Sequence, residues 1–261
     1  MSTASPSSFA DFVDRHVPVD KELPFVHSTR CQVFHHLCSA GFLSPNECPV
    51  FKEPLLYFFY GRPAYRSRTG HLPNTAMAPM PICLVFKPGL FDGRLRRVFP
   101  FDTGAAHNGV FSPYVVPTDL MSFGFNPTLA AIKKAVRAFF ETNSEYYAGT
   151  AKSGLKASPR TGLPAVDSYC SLITDEGVSS YDDRRAAIEG QMADLLPLKD
   201  NLLAIILPSP FLDDATVRDA IVYQWRAYPL CYNHVRGTAP NQSVGVIVEK
   251  LQAFLTKGGY F

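Results

Sequence analysis

Residues 55–62 read Leu-Leu-Tyr-Phe-Phe-Tyr-Gly-Arg, an apolar and aromatic run that stops abruptly at a glycine and an arginine. Short continuous runs of this kind are typical of a strand that is covered on both faces. We therefore predict a buried strand over Leu55–Tyr60, with Arg62 carried at its exit. Such a strand needs packing partners on both sides, and the rest of the chain supplies candidates for them.

Hydrophobic spacing predicts strands and helices along the whole chain. Further buried strands are expected over Ile82–Phe86 and Leu202–Leu207. The predicted helices are Phe9–Val17, Arg30–Ala40 capped by Ser28 or Thr29, Thr128–Glu141, a helix from Asp213 or Asp214 to Trp225, and Val244–Leu255. Because strands and helices do not alternate regularly, we predict an α+β fold in a single domain rather than a parallel doubly wound sheet.

The composition is that of a globular chain without a dominant charge. The 261 residues include 46% hydrophobic and 18% charged residues, and the formal net charge is +2. This charge gives no overall attraction to nucleic acid or acidic lipid. No apolar run approaches the roughly 20 residues of a membrane helix, and residues 1–9 lack the pattern of a signal peptide. We expect a cytoplasmic protein that has no contact with a membrane.

The six cysteines are predicted to be buried free thiols. None belongs to a C-x-x-C pair, and most lie among apolar residues. Cys31, His35 and Cys38 could share a helix face, but structural zinc sites usually space paired ligands about two to four residues apart, so no metal site is predicted. The chain also lacks G-x-G-x-x-G and the phosphate-loop lysine motif, which removes the main support for an ordinary dinucleotide fold or a P-loop.

Glu189 has two interpretations. In the simpler one, Arg185 and Glu189 lie four residues apart on an exposed helix and form a weak surface ion pair. In the other, Glu189 is a catalytic carboxylate in a cleft. The spacing alone favours the surface pair.

Arg62 and His27 also carry two interpretations each. A guanidinium at the mouth of a buried strand suits a phosphate or carboxylate ligand, because its planar fork makes two parallel bonds, but Arg62 could equally be a structural residue that pairs with Asp102 or another carboxylate. His27 and Thr29 could donate hydrogen bonds to a ribose or phosphate near a helix N-terminus. The alternative for His27 is a histidine that bonds to the local backbone.

Aromatic residues of the first predicted strand and the loop Phe99–His107 complete the candidates. Tyr57 and Tyr60 are expected to be mostly core, although one of them could form a stacking wall for a flat heterocycle. In the loop, Asp102 and His107 could act as an acid–base pair, or Asp102 could cap a turn. Without a G-x-S-x-G motif, a serine hydrolase is weakly supported.

Three of these segments together resemble the DarT-like ADP-ribosyltransferases. His27–Thr29, followed by a predicted helix and the exit Ala40-Gly41-Phe42-Leu43, resembles the family's opening motif and helix. Leu56–Pro63 is similar to the family's aromatic strand and the arginine-containing loop after it. Arg185–Glu189, followed by Leu196-Pro197-Leu198 and a strand, resembles the segment that carries the catalytic glutamate.

This resemblance implies a fold and a reaction. The fold would be the ADP-ribosyltransferase-like mixed fold, with two packed sheets around an NAD cleft and flanking helices. It would occupy residues 21–261, preceded by an N-terminal helix or extension over residues 1–20. The implied reaction consumes NAD as a substrate, breaks the nicotinamide–ribose bond and transfers ADP-ribose to an acceptor.

The resemblance also implies the residues of the site and its partners. The implied catalytic residues are Glu189 and Arg62, and the implied NAD-binding residues are His27, Thr29, Tyr57, Tyr60 and Gly61. We expect His27, Arg62 and Glu189 to line one pocket. The acceptor could be a DNA or RNA base, a protein side chain, a small molecule or water, and a toxin of this type could have a neutralising antitoxin partner.

Two alternatives stay open at this point. In the first, the same residues bind a nucleotide without turnover, in a sensor or interaction domain. The second is a metal-dependent hydrolase that uses His27, His35, Asp102 and Asp182. Release of nicotinamide from NAD separates catalysis from binding.

Overall fold

The centre of the fold is a mixed β-sheet. The computed structural model describes residues 7–64, 66, 76–155, 162–177 and 182–261. Its strands are β1 Phe25–Arg30, β2 Phe42–Leu43, β3 Asn46–Glu47, β4 Pro54–Tyr60, β5 Pro81–Phe86, β6 Arg97–Phe99, β7 Glu189–Met192, β8 Leu196–Pro197, β9 Leu202–Pro208 and β10 Tyr228–Tyr232. Eight of them form one sheet, in the order β10-β9-β5-β1-β4-β7-β6, with β3 paired to β4. Only β9 and β10 run parallel, and β2 and β8 form a separate two-stranded ribbon.

Helices cover this sheet. They are α1 Phe9–Asp14, α2 Phe34–Ala40, α3 Thr103–His107, α4 Leu129–Phe139, α5 Asn143–Ala148, α6 Pro164–Thr174, α7 Ala215–Asp219 and α8 Ser243–Lys257. The last helix, α8, packs against β5, β9 and β10. At the other end, α1, α4 and α6 meet through the stacked or edge-on rings of Phe9, Phe139 and Tyr169. Within the described residues, no helix is both long and apolar enough to cross a membrane.

The predicted α+β class and single domain are confirmed, and so are the buried strands. The Leu55–Tyr60 run is β4, whose residues from Leu55 to Tyr60 are buried apart from the half-buried Tyr57. The Ile82–Phe86 run is β5, which is buried throughout. The pair of packed sheets implied by the resemblance is not formed by the described residues. The reason is that β1 pairs with β4 on one side and β5 on the other, which joins these strands into one large sheet.

Two predicted helices differ from the structure. The helix predicted over Arg30–Ala40 begins only at Phe34, after a 3-10 turn, and neither Ser28 nor Thr29 caps it. Both residues belong to β1, because they pair with Cys83 and Ile82 of β5. The helix predicted to reach Trp225 is capped by Asp214 as expected, but α7 ends at Asp219 and continues as a π-helical turn over residues 220–224.

Candidate functional site

Glu189 is the most deeply placed carboxylate of the described chain. It is the first residue of β7 and only 1% exposed. It stands in register with Phe59 of β4 and with Phe99 of β6. The exposed helix with an Arg185–Glu189 pair is therefore wrong. The segment before β7 is a 3-10 turn over residues 183–186, and the Arg185 guanidinium donates to the carbonyl of Asp175.

Three donors hold the Glu189 carboxyl group. The Thr103 amide donates to Oε2 at 3.0 Å, and the Thr103 hydroxyl donates to Oε1 at 2.7 Å. Gln191 Nε2 donates to Oε1 at 2.8 Å. Side chains two residues apart in a strand share a face, which explains why Gln191 can reach Glu189. The carboxyl group is thus fixed by α3 and by its own strand.

Asp102 is the second carboxylate of this site. It caps α3, with Oδ1 accepting from the Ala105 amide at 2.8 Å. Arg184 Nη1 lies 3.6 Å from Asp102 Oδ2, while the rest of that guanidinium binds both oxygens of Asp182. Charge-assisted bonds of this forked kind fix a guanidinium firmly. Arg184 is therefore held in place beside Asp102.

Burial shifts both carboxyl groups toward the protonated form. Burial and, to a smaller extent, the nearby charge of Asp102 raise the pKa of Glu189 to about 8, against the opposing effect of the bonds from Gln191 and Thr103. Burial also raises the pKa of Asp102, against the opposing effects of the Ala105 amide and the Arg184 charge. Paired carboxyl groups with shifted pKa values are typical of acid–base sites.

A cavity of about 250 Å³, here called the Glu189 cavity, lies against these groups. Its lining includes the side chains of Tyr57 and Phe59 together with Pro49 and Val50. A second, more polar cavity of about 410 Å³, here called the Asn108 cavity, adjoins it. The two cavities share the residues Arg66, Asp102, Gly104 and Arg184. The two cavities are therefore adjacent, and together they are called the cleft, with each cavity as one lobe.

Tyr57 is the predicted NAD-binding residue that lines this cleft. Its hydroxyl donates to Cys48 Sγ. Burial raises its pKa, and the Cys48 bond and the Glu189 charge add to the shift. Together with Phe59, which is in register with Glu189, the ring forms an apolar wall. Such a wall suits one flat heterocycle.

His27 and Thr29 lie on the opposite face of the sheet from Glu189. Val26 pairs with Phe59, and Phe59 pairs with Glu189, so these three side chains share a face. Alternation then directs the next residue, His27, to the other face, where its ring contacts Phe58. His27 Nδ1 donates to the carbonyl of Tyr57 at 2.8 Å, and burial lowers its pKa. This geometry agrees with the interpretation of His27 as a histidine that bonds to the backbone, and not with a place beside Glu189.

Arg62 is also outside the cleft. Its side chain is 7% exposed, and Nη1 donates to the carbonyl of Tyr146 at 3.1 Å. The guanidinium carbon lies 5.9 Å from the centre of the Tyr146 ring, within cation–π range. The expected pocket shared by His27, Arg62 and Glu189 is therefore not formed, and the Arg62–Asp102 pair is wrong because Asp102 pairs with Arg184.

Tyr60 and Gly61 serve the fold in the described structure. Tyr60 is fully buried, and its hydroxyl accepts from the Leu23 amide at 2.8 Å. Gly61 adopts a φ of +67°, and its amide donates to the carbonyl of Pro24 at 2.8 Å. The turn at Gly61 lets the chain leave β4 against Leu23. Neither residue lines the Glu189 cavity.

We predict that Gly61→Ala destabilises the protein by about 2–4 kcal/mol. A methyl group at this position would lie 2.5 Å from Leu23 Cδ1, and the backbone stays in the left-handed region. Overpacking and left-handed strain each cost on the order of 1–3 kcal/mol. Urea unfolding of both proteins measures the loss. Gly237→Ala is the matched control, because its φ is +84° and a methyl group there meets open space. Equal losses in both variants would contradict a contribution from the Leu23 contact.

Sequence reasoning found some residues of the cleft and missed others. It singled out Asp102, and the interpretation of Asp102 as a cap is confirmed. The alternative pair with His107 is not formed, because His107 is exposed at the far end of α3. It missed Thr103 and Arg184. The sequence feature that could have indicated Thr103 is its position directly after Asp102. A residue that caps a helix is followed by backbone amides that point toward the same acceptor.

Among the described residues, no three histidine, cysteine, aspartate or glutamate side chains are grouped so that they could hold a metal ion. Comparisons with protein-family models, curated proteins and solved structures give no match for this chain. The function is therefore argued from the cleft itself.

Proposed function

We propose that the chain is an NAD-dependent ADP-ribosyltransferase or NAD glycohydrolase, with the Glu189 cavity as its donor site. The observation that carries this proposal is a buried, triply hydrogen-bonded carboxyl group facing a cavity with an aromatic wall on one side and two arginines at its edge. The Arg185–Glu189 segment resembles the segment that carries the family's catalytic glutamate, and this resemblance also supports Glu189 as the catalytic residue. The proposal includes an ADP-ribosyltransferase-like mixed α+β fold in which one continuous eight-stranded sheet takes the place of the two packed sheets.

The cavity suits the parts of NAD. Tyr57 and Phe59 offer a flat apolar surface to the nicotinamide ring. Arg184 and Arg66 line the shared part of the cleft, where guanidinium groups can bind phosphate oxygens. Glu189 then faces the ribose. Cleavage of the nicotinamide bond leaves positive charge on that ribose, and a fixed carboxylate stabilises it.

The charge of the cleft depends on Glu189. Two guanidinium groups, of Arg66 and Arg184, and two carboxyl groups, of Asp102 and Glu189, line the Glu189 cavity. Arg66 also pairs with Asp183, and Arg184 pairs with Asp182, so carboxylates beside the lining balance the two guanidinium charges. Protonation of Glu189, whose pKa is raised to about 8, removes one negative charge from the lining and so favours a substrate with phosphate groups. Loss of the Glu189 proton supplies the negative charge that the transition state needs.

The second candidate is a nucleotide-binding domain without turnover. One observation favours it: three donors of the chain itself already satisfy the Glu189 carboxyl group, as they would satisfy a structural carboxylate. In this case NAD or a related nucleotide binds in the same cleft, and no nicotinamide is released.

We expect NAD to raise the melting temperature and to be cleaved. A ligand that binds only the folded state stabilises it by mass action. Arg184→Gln should weaken NAD binding at least tenfold in calorimetry, because it removes a cation that Asp182 holds in the shared lining and whose Nη1 is not bonded to Asp182. The matched control is Arg137→Gln, which breaks an i,i+4 ion pair with Glu141 on α4.

The outcomes separate the two candidates. Nicotinamide release by the wild-type chain, measured by chromatography, supports catalysis. Binding that is sensitive to Arg184 but produces no nicotinamide supports the binding domain. A protein that shows neither a shift nor cleavage, or one whose binding weakens equally in the Arg137 control, would reject the assignment of this cleft to NAD. A nucleic-acid base is the first acceptor to test, by analogy with toxins that the sequence resembles.

A further inference from the structure

The two lobes of the cleft contain different carboxyl groups. Asp102 lines both the Glu189 cavity and the Asn108 cavity. Glu189 belongs to the lining of the first cavity, and of the two residues only Asp102 belongs to the described lining of the second. A group bound in the Asn108 cavity therefore meets Asp102 first. The Glu189 cavity, with its aromatic wall, is left for the donor.

We propose that Asp102 is the acceptor-side base of the reaction, and that the Asn108 cavity is the acceptor site. This inference rests on the proposed function, since it assigns the second half of the same reaction. The acceptor class is water or a molecule that presents a hydroxyl or amino group. Asn108 and the backbone of α3 give that cavity a polar surface.

The geometry of Asp102 fits a base. Its Oδ1 is occupied by the capping bond from Ala105. Its Oδ2 lies 3.6 Å from Arg184 Nη1, which is too long for a hydrogen bond but close enough to stabilise a negative charge. Oδ2 is thus the oxygen that can accept a proton.

The bond between ribose C1′ and the nicotinamide nitrogen breaks, and its electron pair goes to that nitrogen, which becomes neutral. A bond forms between C1′ and the acceptor oxygen or nitrogen. The acceptor's proton passes to Asp102 Oδ2 and then to solvent. The products are nicotinamide, the ADP-ribosylated acceptor and one proton. Glu189 stabilises the positive charge on the ribose, and Asp102 accepts the proton of the acceptor and releases it to solvent.

The test uses Asp102→Asn with water as the acceptor and azide as a probe. Asparagine keeps the capping oxygen but cannot take a proton. We expect nicotinamide release to fall on the order of a hundredfold, which is typical for loss of a general base. Azide has no proton to lose, so it should restore release at least tenfold and yield ADP-ribosyl azide, detected by mass spectrometry. Glu189→Gln should not be rescued, because its defect lies in bond cleavage.

Controls make the outcomes distinct. Asp214→Asn changes an equivalent cap on α7 and should retain full turnover. Asp102→Ser, which also caps a helix, repeats the azide test if the asparagine variant does not fold. Full turnover in a folded Asp102 variant, or slow turnover that azide does not restore, overturns the base role and leaves the proposed function standing. A wild-type chain that releases no nicotinamide overturns both.

Discussion

Glu189→Gln is expected to lower nicotinamide release about a hundredfold or more while NAD affinity stays within about threefold of the wild type. Glutamine has nearly the same shape, and its single oxygen can take the place of Oε1 or of Oε2, so it keeps one of the two Thr103 bonds. It carries no negative charge, so it cannot stabilise the positive ribose of the transition state. Removing one preorganised electrostatic contact typically costs a hundredfold to a thousandfold in rate, or about 3–4 kcal/mol. Because the contact strengthens in the transition state, the loss falls on turnover rather than on binding.

The measurement combines initial rates of nicotinamide release with calorimetric NAD binding on the same samples. Glu141→Gln is the matched control, since Glu141 lies far from the cleft lining and pairs with Arg137 and Lys152 on the surface. It should keep full turnover. Equal turnover in the wild type and the Glu189 variant would reject the catalytic role and favour the binding domain. Equal losses in binding and turnover would assign Glu189 to ground-state recognition instead.

Strand positions were predicted best from the sequence where the strand is a continuous apolar run. β4 and β5 were found because burial on both faces leaves an unbroken pattern. β7 has no such pattern: it is four residues long and reads Glu-Gly-Gln-Met. Its extended conformation comes from pairing with β4 and β6, contacts that lie far away in the chain. Tertiary pairing of this kind overrides local preference, which is why Glu189 seemed compatible with a helix.

Gly190 shows what the local sequence could not reveal about this strand. A methyl group on Gly190 would lie 2.9 Å from Leu95 Cδ2 and 3.0 Å from Phe25 Cε1. A glycine next to Glu189 therefore leaves the space that the side chains of Leu95 and Phe25 occupy beside β7. The close approach of β1 and β7 in the structure explains the glycine. In the sequence alone, a glycine at this position indicates only a break in a helix.

The roles of His27 and Arg62 also depended on distant contacts. Both residues lie beside apolar runs, a position that a ligand-binding residue and a structural residue share. The face of β1 that carries His27 is set by its register with β4 and β5. Arg62 is covered by Tyr146 of α5, a residue 84 positions away. A polar residue at the end of a strand is thus a weak predictor of a site until its covering element is known.

The second large effect concerns the contribution of Glu189 to stability, which should fall as pH rises from about 4.5 to about 8. The pKa of Glu189 is raised from 4.5 to about 8 in the folded chain, mainly by burial. Between these values the folded state holds a proton that the unfolded state has lost, so each rise in pH favours unfolding. At 1.36 kcal/mol per pKa unit, the contribution is at most roughly 5 kcal/mol, fully present below pH 4.5 and lost above pH 8.

Glu189→Gln should flatten this part of the profile, because its amide does not titrate. Urea unfolding at several pH values and constant ionic strength measures the slopes, with Glu141→Gln as the control that keeps the wild-type slope. Asp102, Arg184, Arg66 and Tyr57 face the same cavity, and only Asp102, whose pKa is also raised by burial, adds a slope of the same sign. Outside the cavity, His27, whose pKa is lowered by burial, adds a slope of the opposite sign below its unfolded pKa of 6.5. A residual slope in the Glu189 variant therefore reports Asp102 and His27 together. Equal slopes in the wild type and the Glu189 variant would contradict a buried, protonated Glu189. If stability falls and turnover rises over the same pH range, then ionised Glu189 both destabilises the fold and supplies the negative charge that the reaction needs.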